Sequence, residues 1–304
     1  MIRVNGGGRR RTRVQGDRPH WRVTMTYRTL LVHVDNSQQS RARVELAVDF
    51  ACRLPAHLTG IYLPFHMPLF SDVTDIGGMG VPPPSSPESD AKRLEQAEQM
   101  FMEICRRQAV SPEWLAPRFD TIREMQTHAR YADLVIVGQE DQRDPETIPA
   151  MGFVESVVLA AGRPVLILPY AGKVPRAFNN ILLAWDGGRE AARAAADAMP
   201  FLQAAKTVHV MHVSRGSKTD VLGPIPGVDI AMFFARHGVN VRVTPERGAN
   251  DIAVGEDLLS RAADMNIDLI VMGGYGHSRM QEWVLGGVTR TLLETMTVPV
   301  LMSH

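Results

Sequence analysis

The sequence repeats itself, and the repeat constrains the fold more than any single motif does. Tyr27-Arg-Thr-Leu-Leu-Val-His-Val-Asp35 resembles Asn179-Asn-Ile-Leu-Leu-Ala-Trp-Asp186, an offset of 186 − 35 = 151. Farther on, Ala132-Asp-Leu-Val-Ile-Val-Gly138 matches Ile267-Asp-Leu-Ile-Val-Met-Gly273, at 273 − 138 = 135. Arg163-Pro-Val-Leu-Ile-Leu168 matches Val298-Pro-Val-Leu-Met-Ser303, again at 135. The chain reads as a tandem duplication whose first copy carries 151 − 135 = 16 extra residues in its middle. At 304 residues it is long enough for two ordinary domains.

Each copy alternates short apolar runs with helical patterns. In the second copy the runs predict strands near 180–185, 207–213, 240–245, 268–272 and 298–302, with helices such as 189–203 and 251–265 between them. Continuously apolar strands separated by amphipathic helices indicate a parallel sheet covered on both faces. The expected fold class is α/β: two tandem, doubly wound, Rossmann-like parallel-sheet domains. Expected boundaries are a basic disordered tail over 1–24, a first domain over 25–173 and a second over 174–304, with Ala171-Gly172-Lys173-Val174-Pro175 as the linker. Between Pro64 and Asp90 the composition shifts to Pro, Gly and Ser, which predicts a long loop holding the extra residues.

The net charge of zero hides an asymmetry. Residues 1–24 carry seven Arg against one Asp, leaving the remainder with 26 basic and 32 acidic residues. The tail has no apolar core of a secretory signal, and Met25 directly precedes the first good strand. An acidic body argues against nucleic acid as the main partner. Cys52 and Cys105 sit in helical patterns without metal-like spacing, so a reduced, cytoplasmic setting is expected. No apolar run approaches the roughly 20 residues needed to span a bilayer.

The second copy holds the one constellation that suggests a ligand. Gly273-Gly274-Tyr275-Gly276 follows the apolar run Leu269-Ile270-Val271-Met272, and after nine residues comes Gly286-Gly287-Val288-Thr289. Glycines where a strand ends and a helix begins let the backbone approach a ligand closely, and the helix start offers free N–H groups to phosphate. There is no P-loop, nucleophile elbow or Cys/His pair of familiar spacing, so dedicated catalysis is not expected. Asp186 ends the first strand of this copy and could accept a hydrogen bond from a base amine or a ribose hydroxyl in the same crevice.

The G-x2-G-x9-G spacing, the Asp ending the first strand, Val288-Thr289-Arg290 after the last glycine and the closing Val298-Pro-Val-Leu resemble the universal stress protein family. The resemblance covers the chain after its tail, as a tandem pair. It implies strand order 3-2-1-4-5 and a stress-response regulator that binds ATP, with or without magnesium, or another adenine nucleotide, hydrolysing it slowly if at all. It implies that Asp186 and Val213 approach the adenine, that Ala184 and Trp185 line its pocket and that Met272 and Gly273 lie along the ribose. Gly276, Gly286, Gly287, Val288 and Thr289 would hold the phosphates. The family usually has Ser or Thr where this chain has Gly287, and losing that hydroxyl would weaken phosphate binding by on the order of 1 kcal/mol. The alternative is a ligand-free scaffold of the same fold.

In the first copy Gly276 becomes Asp141, Gly286 becomes Met151 and Thr289 becomes Val154, so Glu140 and Asp141 would set carboxylates against phosphate. That copy is expected not to bind nucleotide, although Asp35 remains. His209-x-x-His212 lies on a strand, where residues three apart face opposite sides, so a structural role is expected. His277 and Arg290 are candidates for phosphate contact or for solvated positions. The apolar runs 165–168 and 298–302 would lie at sheet edges, which invite pairing within the chain as a pseudo-dimer, or with a protein partner or a second copy.

Overall fold

In a computed structural model the structure describes residues 26–63, 86–117, 121–141, 143–144, 152–172, 174–213, 227–244, 251–274 and 287–304. The N-terminal half runs β1 (Thr29–Val34), α1 (Ser40–Arg53), β2 (His57–Tyr62), α2 (Pro87–Arg107), β3 (Glu113–Leu115), α3 (Thr121–Ala129), β4 (Leu134–Gly138), α4 (Phe153–Ala160) and β5 (Val165–Leu168). The C-terminal half runs β6 (Asn180–Trp185), α5 (Arg189–Asp197), α6 (Met199–Ala204), β7 (Thr207–His212), α7 (Val228–Arg236), β8 (Val241–Thr244), α8 (Asp251–Asp264), β9 (Leu269–Gly273), α9 (Gly287–Thr295) and β10 (Val300–Ser303).

The ten strands form one sheet in the order β3-β2-β1-β4-β5-β10-β9-β6-β7-β8, which is 3-2-1-4-5 followed by its mirror. Every pairing inside a half is parallel. The two edges that the sequence left open, β5 and β10, pair with each other antiparallel, with Val300 opposite Ile167, Leu301 opposite Leu166 and Met302 opposite Val165. Because 301 − 166 = 135 is the repeat offset, the central pair joins equivalent residues and marks a local two-fold axis. Self-complementary contacts of this kind relate the halves of a symmetric dimer.

Successive strand residues point to opposite faces, so the continuous apolar strands feed two cores. One face carries α1, α2, α5, α6 and α7 on Leu30, Val32, Leu183 and Val271. The other carries α3, α4, α8 and α9 on Leu31, Val135, Leu182 and Ile270. Between the halves, Tyr27 meets Phe201 and Phe50 meets Phe178 and Phe201 with ring centroids 5.3–5.8 Å apart, and Tyr27 Oη donates to Asp197 O at 2.6 Å.

Two expectations need correction. The helix predicted over 189–203 is broken at Ala198, because Pro200 in the first turn of α6 has no N–H to give to a preceding turn. The loop predicted to reach Asp90 ends sooner. Ser86 caps α2, its Oγ accepting from Ser89 N at 3.2 Å, and Pro87 occupies the first helical turn where its missing N–H costs nothing. Residues 1–24 and 64–85 lie outside the described residues. No described helix is long and apolar enough to cross a membrane.

Candidate functional site

In an open parallel sheet the ligand crevice opens beyond the strand ends where the strand order reverses. In the C-terminal half that point falls between β6 and β9, which pair in parallel with Ala184 opposite Met272. The sequence residues Ala184, Trp185, Asp186, Met272 and Gly273 are therefore brought to one rim. Val213 joins it from the end of β7, its N–H donating to Trp185 O at 2.8 Å. Ala184 and Met272 are buried on the face covered by α8 and α9, whereas Trp185 packs partly buried against the core of the opposite face.

Local chemistry shapes this rim. Asp186 Oδ1 accepts from Gly188 N at 2.8 Å, closing a turn whose middle residue, Gly187, has φ 74°, a left-handed conformation open to glycine. Gly273 is needed for a different reason: a Cβ there would lie 2.5 Å from Ala191 N and 2.6 Å from Glu190 C, because the first turn of α5 rests on the end of β9. Gly287 opens α9, Val288 is half-buried and Thr289 is buried. Gly276, Gly286 and His277 lie outside the described residues. Arg290 is exposed and paired with Glu294 at 2.7 Å, one helical turn on. His209 and His212 sit three apart on β7, and no group of three or more metal-ligating side chains occurs among the described residues.

The N-terminal half has the same strand ends and fills them with its own side chains. Asp35, equivalent to Asp186, is buried and takes the Arg43 guanidinium at 2.8 Å on Oδ2. It also accepts from Ser37 N at 3.0 Å and from Ser37 Oγ. Arg43 Nε donates to His33 O at 2.7 Å, and Nη2 reaches Ser40 Oγ at 3.4 Å. Burial by itself would raise the Asp35 carboxyl, but Arg43, His33 and the Ser37 hydrogen bonds outweigh it and hold it below its ordinary range. His33 Nδ1 lies 3.5 Å from Asp35, yet burial pushes this imidazole down to about 4, so it is neutral at pH 7.

The other end of the same crevice is plugged as well. Glu140 Oε1 accepts from Phe153 N at 2.9 Å, which puts a carboxylate on the N-terminus of α4. Phe153 is equivalent to Val288 at the offset of 135, so Glu140 stands where the second copy is expected to hold phosphate. A cavity of about 210 Å³ remains, lined by Ser37, Arg43, Gly138, Gln139, Asp144 and Tyr170 among others. Drug-sized ligand sites run to roughly 300–1,000 Å³, so what is left is small.

Sequence reasoning missed Arg43 and the capping role of Glu140. A signal existed for the first: Arg43 falls on the buried 40-43-47-50 face of α1, where a charge needs a partner. The equivalent position in the second copy is Ala194.

Burial, with the neighbouring Glu155, raises Glu140 from 4.5 to about 6 against the pull of the α4 amides. The folded protein therefore keeps this proton to higher pH than the unfolded chain does. Stability contributed by the protonated group is full below about 4.5 and is lost as pH rises through 6. Replacing Glu140 by Gln should remove that dependence, so unfolding free energies of wild type and E140Q should diverge by on the order of 1 kcal/mol between pH 4 and 7, after allowance for partial exposure. Parallel curves from urea titrations at several pH values would refute this.

These features define a class: a doubly wound α/β protein of Rossmann type whose C-terminal half reverses its strand order between β6 and β9. Residues 238–304 match the model of the universal stress protein family, so the C-terminal part of the chain carries a domain of that family. The fold is that of a universal stress protein from Archaeoglobus fulgidus DSM 4304, with TM-score 0.63 at 19% identity over 90% of this chain and 95% of that one. A functionally unknown protein from Pseudomonas aeruginosa PAO1 aligns with TM-score 0.54 at 17% identity, over 91% and 92% of the two chains. No curated protein matches the sequence.

Proposed function

We propose that the C-terminal half binds an adenine nucleotide, ATP in the first instance, with or without magnesium, and that the chain is a stress-response regulator, non-catalytic or with only slow hydrolysis. The observation that carries this reading is the parallel pairing of β6 with β9. It sets Asp186 and the Gly273 start of the glycine motif side by side at the reversal of strand order. In this reading Asp186 and Val213 face the base, Ala184 and Trp185 line its pocket, and Met272 and Gly273 run along the ribose. Gly276, Gly286, Gly287, Val288 and Thr289 bind the phosphates, the last three through backbone N–H groups at the start of α9.

The N-terminal half in this reading takes no nucleotide, since Arg43 occupies its carboxylate and Glu140 its helix N-terminus. It serves as a structural partner, joined to the other half through β5 and β10 as a pseudo-dimer within the chain.

Calorimetric titration of ATP, ADP and AMP, with and without magnesium, into the full chain tests this. One site per chain is expected, with binding weakened at least about 100-fold in Gly276→Asp, which installs the first copy's Asp141 in the phosphate loop. No heat at millimolar nucleotide would reject the reading in favour of a ligand-free scaffold, which Gly287 without a hydroxyl side chain would then mark.

A further inference from the structure

Gln139 follows β4 in the N-terminal half, yet its side chain serves the other half. It is 5% exposed. Its N–H donates to Leu168 O at 2.7 Å, and its Oε1 accepts from Tyr170 N at 3.1 Å. These bonds fix the amide so that Nε2 donates to Leu293 O at 2.8 Å, 154 residues away. Leu293 lies in the last turn of α9.

The last four carbonyls of a helix have no partner within it, and α9 has no basic residue in its last turn to serve them. Gln139 satisfies one of these carbonyls from across the β5–β10 seam. A helix of nine residues is too short to hold itself in water, so its axis is set by what it touches. It touches the core of this face of the sheet, where Leu292 and Leu293 are buried, α8, where a Cβ on Gly255 would lie 2.9 Å from Thr291 Cβ, and Gln139.

The contact has a twin. At the offset of 135, Gln139 corresponds to Gly274 and Leu293 to Val158. Gly274 does touch Val158 of α4: a Cβ there would come within 3.1 Å of Val158 Cγ1. Each half therefore presents the residue after its fourth strand to the other half's last helix. In one arm a glycine lets the helix close in by van der Waals contact; in the other a glutamine holds the helix by a hydrogen bond. The arm with the hydrogen bond acts on α9, the helix that begins with Gly287, Val288 and Thr289.

We propose that Gln139 is a positioning residue for the nucleotide site of the opposite half, holding α9 at its C-terminal end so that its N-terminus presents amides to the phosphates. This rests on the nucleotide reading above. The neighbouring Glu140 anchors α4 in the same way from its N-terminal end, so Gln139 and Glu140 together tie down both helices that follow the two glycine-motif positions. Binding at one half is thereby made to depend on the integrity of the other.

The test uses the full chain and the variants Gln139→Glu and Gln139→Met. Glu keeps the shape and the acceptor for Tyr170 N but removes the donor to Leu293 O; Met removes both bonds at similar volume. In ligand-free protein, amide hydrogen exchange in α9 is expected to rise about fivefold in both variants, with α5 and β6 unchanged. Affinity for ATP is expected to fall about three- to tenfold, the loss of one buried hydrogen bond. Unchanged exchange in α9 would overturn the proposal whatever the nucleotide does. Faster exchange with ATP affinity unchanged within about twofold would also overturn it, leaving Gln139 a structural clamp. A wild type that binds no nucleotide removes the site reading and the positioning role together, and the exchange comparison then reports separately whether Gln139 holds α9.

Discussion

Replacing Asp35 by Ala is expected to cost about 3–5 kcal/mol of unfolding free energy at pH 7, although Asp35 lies in the half not expected to bind nucleotide. Arg43 is buried with its guanidinium 2.8 Å from Asp35, and removing the carboxylate leaves a cation with no counter-charge away from water. Breaking a buried pair from one side carries a penalty of that size, whereas removing both partners for well-packed apolar groups is often close to neutral. D35A/R43M should accordingly recover most of the loss. The equivalent Asp186→Ala should cost less than D35A does, because Asp186 is only half-buried and accepts from Gly188 N across a turn, so its loss strands no buried guanidinium. Urea unfolding of the four proteins decides the matter; a D35A loss below about 1 kcal/mol would show that Arg43 finds another partner. Acid should act in the same direction. The Asp35 carboxyl is held below its ordinary range, so the stability it contributes is present above the unfolded-state value and is lost as pH falls through the lower folded one.

The second large effect is expected at Gly273. A methyl group there would sit 2.5 Å from Ala191 N and 2.6 Å from Glu190 C. Both are backbone atoms in the first turn of α5, so no side chain can swing away. The helix would have to lift off the end of β9, uncovering its own buried Ala191 and Ala194. Overpacking of this kind costs about 1–3 kcal/mol and more where the obstruction is rigid, so Gly273→Ala should lose about 3 kcal/mol and Gly273→Val more. Gly162→Ala is the control: nothing lies within 4 Å of its Cβ, but its φ of 62° is left-handed, so only about 1 kcal/mol of backbone strain is expected. If the two alanine variants unfold at the same denaturant concentration, the close approach of α5 to β9 is not what makes Gly273 necessary.

Much of this architecture was legible because it follows from local rules. The strands predicted at 180–185 and 207–213 appear as Asn180–Trp185 and Thr207–His212 since continuous apolar runs of that length have few other uses. The strand order 3-2-1-4-5 follows from the resemblance and is found in both halves. Less legible were features in which one residue overrides a pattern. Pro200 divides a helix whose apolar spacing continues through it, and Ser86-Pro87 starts a helix inside a stretch read as loop by its composition. For the candidate site, sequence could name Asp186 and Gly273 but not the packing that places α5 on Gly273.

Asp35 and Asp186 show where the boundary lies. The sequence by itself determined that each copy ends its first strand on a carboxylate, that each fourth strand ends on a glycine, and that the two copies are related by a fixed offset. Those are properties of short segments, encoded in neighbouring residues. Tertiary structure alone decided that Asp35 is neutralised by Arg43 from the buried face of α1 and that Glu140 sits on the N-terminus of α4. It also decided that Gln139 reaches Leu293 across the β5–β10 seam. The physical reason is that an ion pair or hydrogen bond acts over about 3 Å in space without regard to separation along the chain. Whether a strand-end carboxylate is closed by its own protein therefore depends on how the helices pack over the strand ends.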